Sequence, residues 1–247
     1  MSRAGRADDA APPGLDVSPA AMLARVLYRD ALILVIDKPA GIPVHAGPGR
    51  GPNLEMYLDA LRFGLPQAPA LAHRLDRDTA GCLVLGRHRR ALARLGRLFA
   101  AGLVEKIYWA VVEGAPPETE GRIDLPLRKR TQDKRRWHMM VHPDGQSAIT
   151  DYRVLGRAKG RAWVEFRPKT GRTHQIRVHT AALGCPVVGD PVYGPGAKPI
   201  VEPPRDALML QARAITIPLY EKRAAITVEA PVPAHMRAAL KACGFEG

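Results

Sequence analysis

Cysteine is scarce in this chain. Only Cys82, Cys185 and Cys243 occur among 247 residues, and none of them forms a CxxC pair. An odd number of isolated cysteines argues against both a disulfide framework and a cysteine-based zinc site. Cys82 lies in an apolar run, which favours a buried structural thiol over a reactive one.

Long hydrophobic runs are also missing. No apolar segment approaches 18 residues, so the sequence predicts no membrane-spanning helix. The N-terminus carries charges without the apolar region of a secretory signal, so we expect a cytoplasmic protein. Residues 1–20 are rich in Ala, Gly, Pro, Arg and Asp, which predicts a flexible N-terminal tail ahead of one large domain, 21–247.

Acidic residues are too few to balance the basic ones. The chain has 37 Lys plus Arg against 24 Asp plus Glu, a formal net charge of +13, and 28 of the cations are arginine. Such an excess suggests a polyanionic partner, first of all nucleic acid, because guanidinium groups clamp phosphates and stack on bases. An arginine-rich proteome or an acidic membrane surface would give the same balance.

The charge is densest in a short loop. Residues 73–78, His-Arg-Leu-Asp-Arg-Asp, hold five ionisable side chains, and the apolar run at 82–85 that follows predicts a buried strand. Loops fixed to a rigid scaffold often carry chemistry. Asp76 lies between Arg74 and Arg77, whose positive charge favours the carboxylate anion. Asp76 is therefore a candidate nucleophile or base, although a solvated surface turn would have the same sequence.

The remaining pattern mixes strands and helices without regular βαβ spacing, which favours an α+β or mixed fold. We expect helices at 53–61 with Asn53 as cap, at 88–101, at 173–183 with Thr173 as cap, and after Pro233. We expect one central strand within 26–36, in the aliphatic run 31–36. We expect further strands at 103–112, at 150–154 paired with 162–167, at 208–217 and at 225–228.

Five stretches, in order, resemble the pseudouridine synthases of the RluA type. Residues 73–81, His-Arg-Leu-Asp-Arg-Asp-Thr-Ala-Gly, look like the motif with the essential aspartate. Residues 105–110, Glu-Lys-Ile-Tyr-Trp-Ala, and 170–179, Thr-Gly-Arg-Thr-His-Gln-Ile-Arg-Val-His, resemble the second and third motifs. Residues 37–45 are similar to the Lys-Pro-x-Gly opening, and residues 189–194 also fit.

This resemblance implies a largely antiparallel, bent mixed sheet flanked by helices and loops, with RNA in a cleft. It implies isomerisation of uridine to pseudouridine in ribosomal or transfer RNA, on a base flipped out of its helix. The catalytic residues would be Asp76, Arg177 as its ion-pair partner, and Tyr108 stacked on the uracil. By pattern alone, Tyr108 would be an ordinary core tyrosine.

We expect RNA contacts from several basic side chains, and Arg74 would also fill the gap left by the flipped base. The candidates are Lys38, Arg74, Arg77, Arg128, Lys129, Arg130, Arg135, Arg136, Arg172 and His174. The run at 128–137 ends in Trp137, which suits a backbone clamp with base stacking, although a solvated hairpin loop would look similar. Many relatives carry an N-terminal RNA-binding domain for which this chain has no room, so we expect the catalytic domain to bind RNA. The expected protein is a monomer without metal or cofactor.

Two other functions fit parts of the sequence. A metal-dependent phosphodiesterase could use His73, Asp76, Asp78, His174 and His179, but the interleaved arginines would repel the cation. A non-catalytic RNA-binding factor could use the same basic surface, but the joint presence of Asp76, Tyr108 and Arg177 argues against it. Two departures from the family pattern are Gln211, where relatives commonly have histidine, and Ala80, where serine is frequent.

Overall fold

The computed structural model describes residues 14–46, 51–130, 138–195 and 207–247. The chain divides into two compact units. Unit 1 comprises Met1–Val104 and Ala214–Pro231, and unit 2 comprises Glu105–Arg213 and Val232–Gly247. Both units combine antiparallel strands with a few short helices, so the α+β class expected from the sequence is confirmed. None of the described helices is long and apolar enough to cross a membrane.

Unit 1 is a small antiparallel sheet with helices beside it. Strand β2 pairs with both β1 and β4, β3 also pairs with β4, and β12 pairs with the end of β11. The strands are β1 (Val26–Arg29), β2 (Ile33–Lys38), β3 (Ala70–Leu71), β4 (Ala80–Gly86), β12 (Ile226–Glu229) and the part of β11 (Leu210–Ile217) that begins at Ala214. The helices are α1 (Pro19–Ala24), α2 (Arg89–Ala100) and a 3-10 helix, Leu54–Leu61.

The core of unit 1 follows the predicted pattern of apolar residues. Val35 of β2 and Val84 of β4 pack with Leu95 of α2, whereas Arg90 and Arg97 of α2 are exposed. The apolar stripe of α2 therefore faces the sheet and its basic stripe faces solvent, as its sequence period predicts.

Three local details of unit 1 differ from the prediction. The stretch 26–36 is a hairpin, because the Asp30 carboxylate accepts the backbone N–H groups of Leu32 (2.7 Å) and Ile33 (2.8 Å) and turns the chain. The helix after Asn53 is a 3-10 helix, and the Asn53 side chain forms no cap hydrogen bond. Helix α1 begins at Pro19, within the last residues assigned to the expected tail; residues 1–13 lie outside the described ranges.

Unit 2 contains a four-stranded antiparallel sheet in the order β5-β10-β9-β6 and a separate hairpin, β7-β8. The strands are β5 (Glu105–Glu113), β6 (Glu120–Asp124), β7 (Leu127–Lys129), β8 (Met139–Val141), β9 (Ile149–Ala158) and β10 (Arg161–Pro168). The helices are α3 (Gln175–Ala182) and α4 (Ala234–Ala242).

Most predicted elements of unit 2 are confirmed. Strands β9 and β10 pair through a tight turn in which Lys159 and Gly160 have φ of 49° and 75°, so the loop is shorter than the gap between the predicted strands at 150–154 and 162–167. Helix α4 follows Pro233, and Gly184, with φ of 76°, lies just past α3. The start of α3 was predicted wrongly: the helix begins at Gln175, and Thr173 is not its cap.

Strand β5 is buried on both faces. Ala110 and Val112 point into one core with Phe166, while Val111 and Trp109 point into a second core with residues of α4. The docking of α4 needs a glycine at position 156, beside a bulge where Trp163 pairs with Gly156 and Val164 with Val154. A Cβ atom at residue 156 would overlap the carbonyl oxygen of Cys243.

We therefore predict that Gly156→Ala destabilises the protein by about 1–3 kcal/mol, because the added methyl group must displace the end of α4. Gly96→Ala is the matched control: nothing lies within 4 Å of its Cβ position, and alanine in a helix is more stable by about 1 kcal/mol. Urea denaturation measures both changes. Equal midpoints for Gly156→Ala and the unmodified protein would contradict this packing.

Candidate active site

Asp76 lies in the loop between β3 and β4, in unit 1, where its side chain is half-buried. Leu75 and Thr79 on either side of it are buried, and the Thr79 N–H donates to the Asp76 carbonyl oxygen (3.2 Å). His73 is held at the start of the loop: its Nε2 accepts the Val84 N–H (3.0 Å) and its ring lies 4.8 Å from that of Phe99. The loop is thus anchored at both ends, and Asp76 stands between the anchors.

Lys38 holds the backbone in the middle of the same loop. Its Nζ donates to the carbonyl oxygens of Pro39 (2.6 Å) and Arg77 (3.0 Å), and the Gly41 N–H also donates to the Arg77 carbonyl oxygen (3.0 Å). Two of the stretches that carry the family resemblance therefore meet here, because residues 37–45 hold the backbone next to Asp76.

The assignment of Lys38 to RNA contacts needs correction. The side chain has no exposed surface, and its ammonium is directed at backbone carbonyls rather than at solvent. Burial lowers the pKa of Lys38 to about 7, although the carboxylates of Asp78, Asp76 and Asp37 act in the opposite direction. Burial also raises the pKa of Asp37. Lys38 is therefore a positioning residue for the Asp76 loop.

The two arginines beside Asp76 have different surroundings. Arg74 is exposed. Arg77 is also exposed, but its guanidinium forms a two-point ion pair with Asp78, with Nε–Oδ1 at 3.0 Å and Nη2–Oδ2 at 3.2 Å. The sequence pattern suggested that both arginines act on Asp76, whereas the structure directs Arg77 to the neighbouring carboxylate.

Tyr108 lies on β5, in unit 2, and is half-buried. It packs against the core that contains Ala110, Val112 and Phe166, as the period-two pattern predicts. Phe166 is also its partner in the register between β5 and β10. The ring is therefore held in a fixed position by the sheet.

Arg177 lies on α3, also in unit 2, and only 4% of its surface is exposed. Its guanidinium pairs with Asp190, with Nε–Oδ2 at 2.7 Å and Nη2–Oδ1 at 2.9 Å. Asp190 Oδ1 also accepts the N–H groups of Val192 (2.8 Å) and Tyr193 (3.0 Å). Burial raises the pKa of Asp190, but Arg177 and the two N–H groups outweigh burial, and the pKa is lowered overall. The ion pair expected between Arg177 and Asp76 joins residues of different units and stays a prediction.

Tyr193 connects Arg177 to the β7-β8 hairpin, which carries the basic residues 128–130 and is called the basic hairpin below. Its ring lies 5.2 Å from the Arg177 Cζ atom, and its hydroxyl is 2.9 Å from His174 Nδ1 and accepts the Met139 N–H at 2.9 Å. His174 is at the N-cap of α3 with φ of 54° and ψ of 21°, a left-handed conformation unusual for a residue other than glycine.

The loop ahead of α3 is organised by Gln175, which is 5% exposed. Its Oε1 accepts hydrogen bonds from the Thr170 hydroxyl (2.7 Å) and the Arg172 N–H (3.0 Å), and its Nε2 donates to the Ile149 carbonyl oxygen (3.0 Å). This amide explains why the helix begins later than predicted. Arg172 remains exposed, and its Nε donates to the Ser147 carbonyl oxygen (3.0 Å).

The expected RNA-binding run begins at the end of β7. Arg128, Lys129 and Arg130 are exposed, and the Arg130 N–H donates to the His138 carbonyl oxygen (2.8 Å). Arg135, Arg136 and Trp137 lie outside the described residues. Tyr193 therefore joins this hairpin, through Met139, to the loop that holds Arg177.

The histidines considered for a metal site have other partners. His179 is fully buried; its Nδ1 lies 2.9 Å from the Thr150 hydroxyl and its Nε2 3.1 Å from the Leu125 carbonyl oxygen. His73 and His174 are engaged with Val84 and Tyr193. Across residues 14–46, 51–130, 138–195 and 207–247, no three His, Cys, Asp or Glu side chains are grouped to hold a metal ion.

Sequence reasoning missed three residues of this arrangement. Asp190 and Tyr193 lie in the stretch 189–194, which resembles the family, but the sequence does not reveal their contacts with Arg177. The signal available was an acidic residue followed by an aromatic one inside an otherwise matched stretch. Lys106, two residues before Tyr108, was also passed over.

Comparison with known proteins shows the family of this chain. Residues 32–182 match the family model described as RNA pseudouridylate synthase. An uncharacterized RNA pseudouridine synthase of Zymomonas mobilis is 46% identical over 210 residues, which cover 85% of this chain and 94% of that protein. A ribosomal large subunit pseudouridine synthase D of Xanthomonas campestris is 41% identical over 192 residues, covering 76% of this chain and 56% of that protein.

A solved structure supports the fold. Human RNA pseudouridylate synthase domain containing 4 aligns with a TM-score of 0.77 at 28% identity, over 92% of this chain and 95% of that chain. Human RNA pseudouridylate synthase domain containing 1 aligns with a TM-score of 0.67 at 27% identity, over 83% of this chain and 82% of that chain.

The buried ion pair generates a stability prediction. Asp190→Ala leaves the Arg177 guanidinium buried without its carboxylate, so we expect a loss of about 3–5 kcal/mol. Asp151→Ala is the matched control, because Asp151 forms a similar two-point pair with Arg122 at the surface, and its loss should cost at most about 1 kcal/mol. Chemical denaturation compares the two variants, and equal losses would show that burial of the Arg177 pair adds nothing.

The lowered pKa of Lys38 predicts how stability changes with pH. Between about pH 7 and the ordinary value of 10.5, the unfolded state keeps a proton on Lys38 that the folded state has released. The unfolded state then binds more protons, so this group makes the free energy of unfolding rise with pH. Lys38→Met removes that contribution, and Lys222→Met, at an exposed lysine, should not.

The measurement is urea denaturation of the three proteins at pH 7, 8, 9 and 10. The free energy of unfolding of the unmodified protein should increase relative to that of Lys38→Met across this range. A constant difference would mean that Lys38 keeps its proton in the folded protein.

Proposed function

Because this chain belongs to the RNA pseudouridylate synthase family, whose members are isomerases acting on RNA, we propose that it converts specific uridines of structured ribosomal or transfer RNA to pseudouridine, with Asp76 as the essential carboxylate. The observation that carries the proposal is the seating of Asp76: a buried lysine and a backbone N–H hold the loop at Arg77, the residue after it. A solvated surface turn would not need such support.

The reaction is an isomerisation, so the product has the same composition as the substrate. The bond between uracil N1 and ribose C1′ breaks, the base turns, and C5 bonds to C1′. C5 then loses its proton and N1 takes one from solvent. The base must leave its helix for this to happen, so the enzyme would bind the uridine flipped out.

Each proposed catalytic residue has a distinct role. Asp76 acts on the ribose, either by attack or by removing a proton. Arg177, which pairs with Asp190, would also pair with the Asp76 carboxylate and orient it. Tyr108 stacks on the flipped uracil and assists proton transfer at C5. Arg74 fills the space that the base has left.

The basic surface would bind the surrounding RNA. Exposed Arg77, Arg172 and the hairpin residues Arg128, Lys129 and Arg130 would contact backbone phosphates. His174 would contribute from the loop before α3, and the same role is proposed for Arg135 and Arg136. The net charge of +13 supports a polyanionic partner. The relative named as a ribosomal large subunit enzyme makes ribosomal RNA the first substrate to test.

We predict that Asp76→Asn reduces pseudouridine formation by about a thousandfold or more, because the amide can neither attack the ribose nor accept its proton. Asp59→Asn, at an exposed carboxylate paired with Arg62, should retain the activity. Pseudouridine mapped across the total RNA of cells with the gene, without it, and with each variant identifies the modified site and reports the activity.

The outcomes separate the rival functions. A site that disappears with the gene and with Asp76→Asn supports the enzyme. Unchanged pseudouridine in every strain would instead indicate a non-catalytic RNA-binding factor. Activity of the purified protein that is lost on adding EDTA would indicate the metal-dependent phosphodiesterase. Binding of the RNA by Asp76→Asn, measured by fluorescence anisotropy, shows whether substitution has affected chemistry alone.

A further inference from the structure

Lys106 is a partly buried cation whose ammonium has no partner in the part of the chain that the structure describes. It lies on β5, and its side chain forms neither a hydrogen bond nor an ion pair with any described residue. The two most deeply buried cations of the described residues have partners: Lys38 donates to two carbonyl oxygens and Arg177 pairs with Asp190. Removing a charge from water without a compensating partner costs free energy. A partly buried lysine without a partner therefore suggests that its ammonium binds a ligand.

The surroundings of Lys106 place it beside two functional stretches. Lys106 and Tyr108 are two residues apart on one strand, so they share a face and lie roughly 6.6 Å apart along it. The loop before α3 approaches from the other side, because a Cβ atom at Gly171 would lie 3.9 Å from Lys106 Nζ and would meet nothing else within 4 Å. Gly171 and Arg172 are both exposed. The ammonium therefore lies beside an open loop next to the ring proposed to stack on uracil.

The electrostatics distinguish Lys106 from a lysine that serves the fold. Burial lowers the pKa of Lys106, and no carboxylate of the described residues offsets this effect. For Lys38, three carboxylates oppose the effect of burial, although its pKa still falls to about 7. A partly buried ammonium binds an anion with a more favourable free energy than a fully hydrated ammonium does, because part of its desolvation has already occurred.

We infer that Lys106 is a phosphate-binding residue, whose ammonium binds a backbone phosphate of the RNA next to the nucleotide stacked on Tyr108. This inference rests on the proposed function, since it takes RNA as the ligand. The two-residue spacing along β5 then fixes the distance between the base and the phosphate. Arg172, which is exposed on the loop next to Gly171, would contact the same stretch of backbone.

The test is the salt dependence of RNA binding. The probe is a fluorescent RNA stem-loop with uridines in its loop, and its Kd is measured by anisotropy from 50 to 300 mM KCl. Lys106→Met keeps the apolar stem and removes the charge, so it should bind roughly tenfold more weakly at low salt. The slope of log Kd against log salt should fall by about 0.7–0.9, the value for one phosphate contact. Lys106→Arg should restore the slope.

Lys241→Met is the matched control, because Lys241 is an exposed lysine of the same unit, on α4. It should keep the slope of the unmodified protein. A Lys106→Met protein with the unmodified slope overturns the inference. If Lys106→Met does not fold, chemical acetylation of the unmodified protein decides: RNA should protect Lys106 but not Lys241, and equal labelling of Lys106 with and without RNA overturns it.

Failure of this inference is distinguishable from failure of the proposed function. Pseudouridine formation by the unmodified protein together with an unchanged salt slope for Lys106→Met rejects the role of Lys106 and retains the enzyme. Absence of pseudouridine formation together with absence of RNA binding rejects both. The slope of log Kd against log salt also distinguishes phosphate binding from proton transfer. If Lys106 took part only in proton transfer, Lys106→Met would lower the rate of pseudouridine formation and leave that slope unchanged.

Discussion

The free-energy cost of taking a positive charge out of water is the constraint on which the arrangement of functional residues in both units depends. For Arg177, this cost is compensated by the carboxylate of Asp190, which accepts two hydrogen bonds from the guanidinium. Lys38 meets it with carbonyl oxygens, and in doing so fixes the loop that carries Asp76. Lys106 does not meet it within the described residues. The contacts of Arg177 and Lys38 make their surroundings rigid, whereas the charge of Lys106 can be compensated by a bound anion.

This constraint also links the family resemblance to physical contacts. The stretch 37–45 matters because Lys38 and Gly41 both donate to the Arg77 carbonyl oxygen. The stretch 189–194 matters because Asp190 orients Arg177 and Tyr193 connects the basic hairpin to it. The motif residues that were given no catalytic role in the sequence analysis thus hold the proposed catalytic residues, or their neighbours, in position.

Local patterns in the sequence were sufficient for much of the fold. The apolar stripe of α2, the paired strands β9 and β10, and the buried strand β4 could be predicted because each depends on the spacing of neighbouring residues. The start of α3 could not, because the amide of Gln175 organises the preceding loop through Thr170 and Ile149. For the same reason the candidate residues could be named, but the partner of Arg177 could not: it lies thirteen positions away, and only the folded chain brings it close. Lys38 was misjudged because a lysine in a basic chain is usually exposed.

The interleaving of the two units along the chain has a consequence for biosynthesis. Residues 105–213 of unit 2 are translated before residues 214–231 complete unit 1, and unit 2 itself lacks residues 232–247 until later still. Met236 and Leu240 of α4 pack in one core with Trp109 and Trp163, so this core stays incomplete on the ribosome until α4 emerges. Nascent chains of this protein therefore expose aromatic surface from the synthesis of Trp163 until α4 emerges, the condition under which chaperones bind.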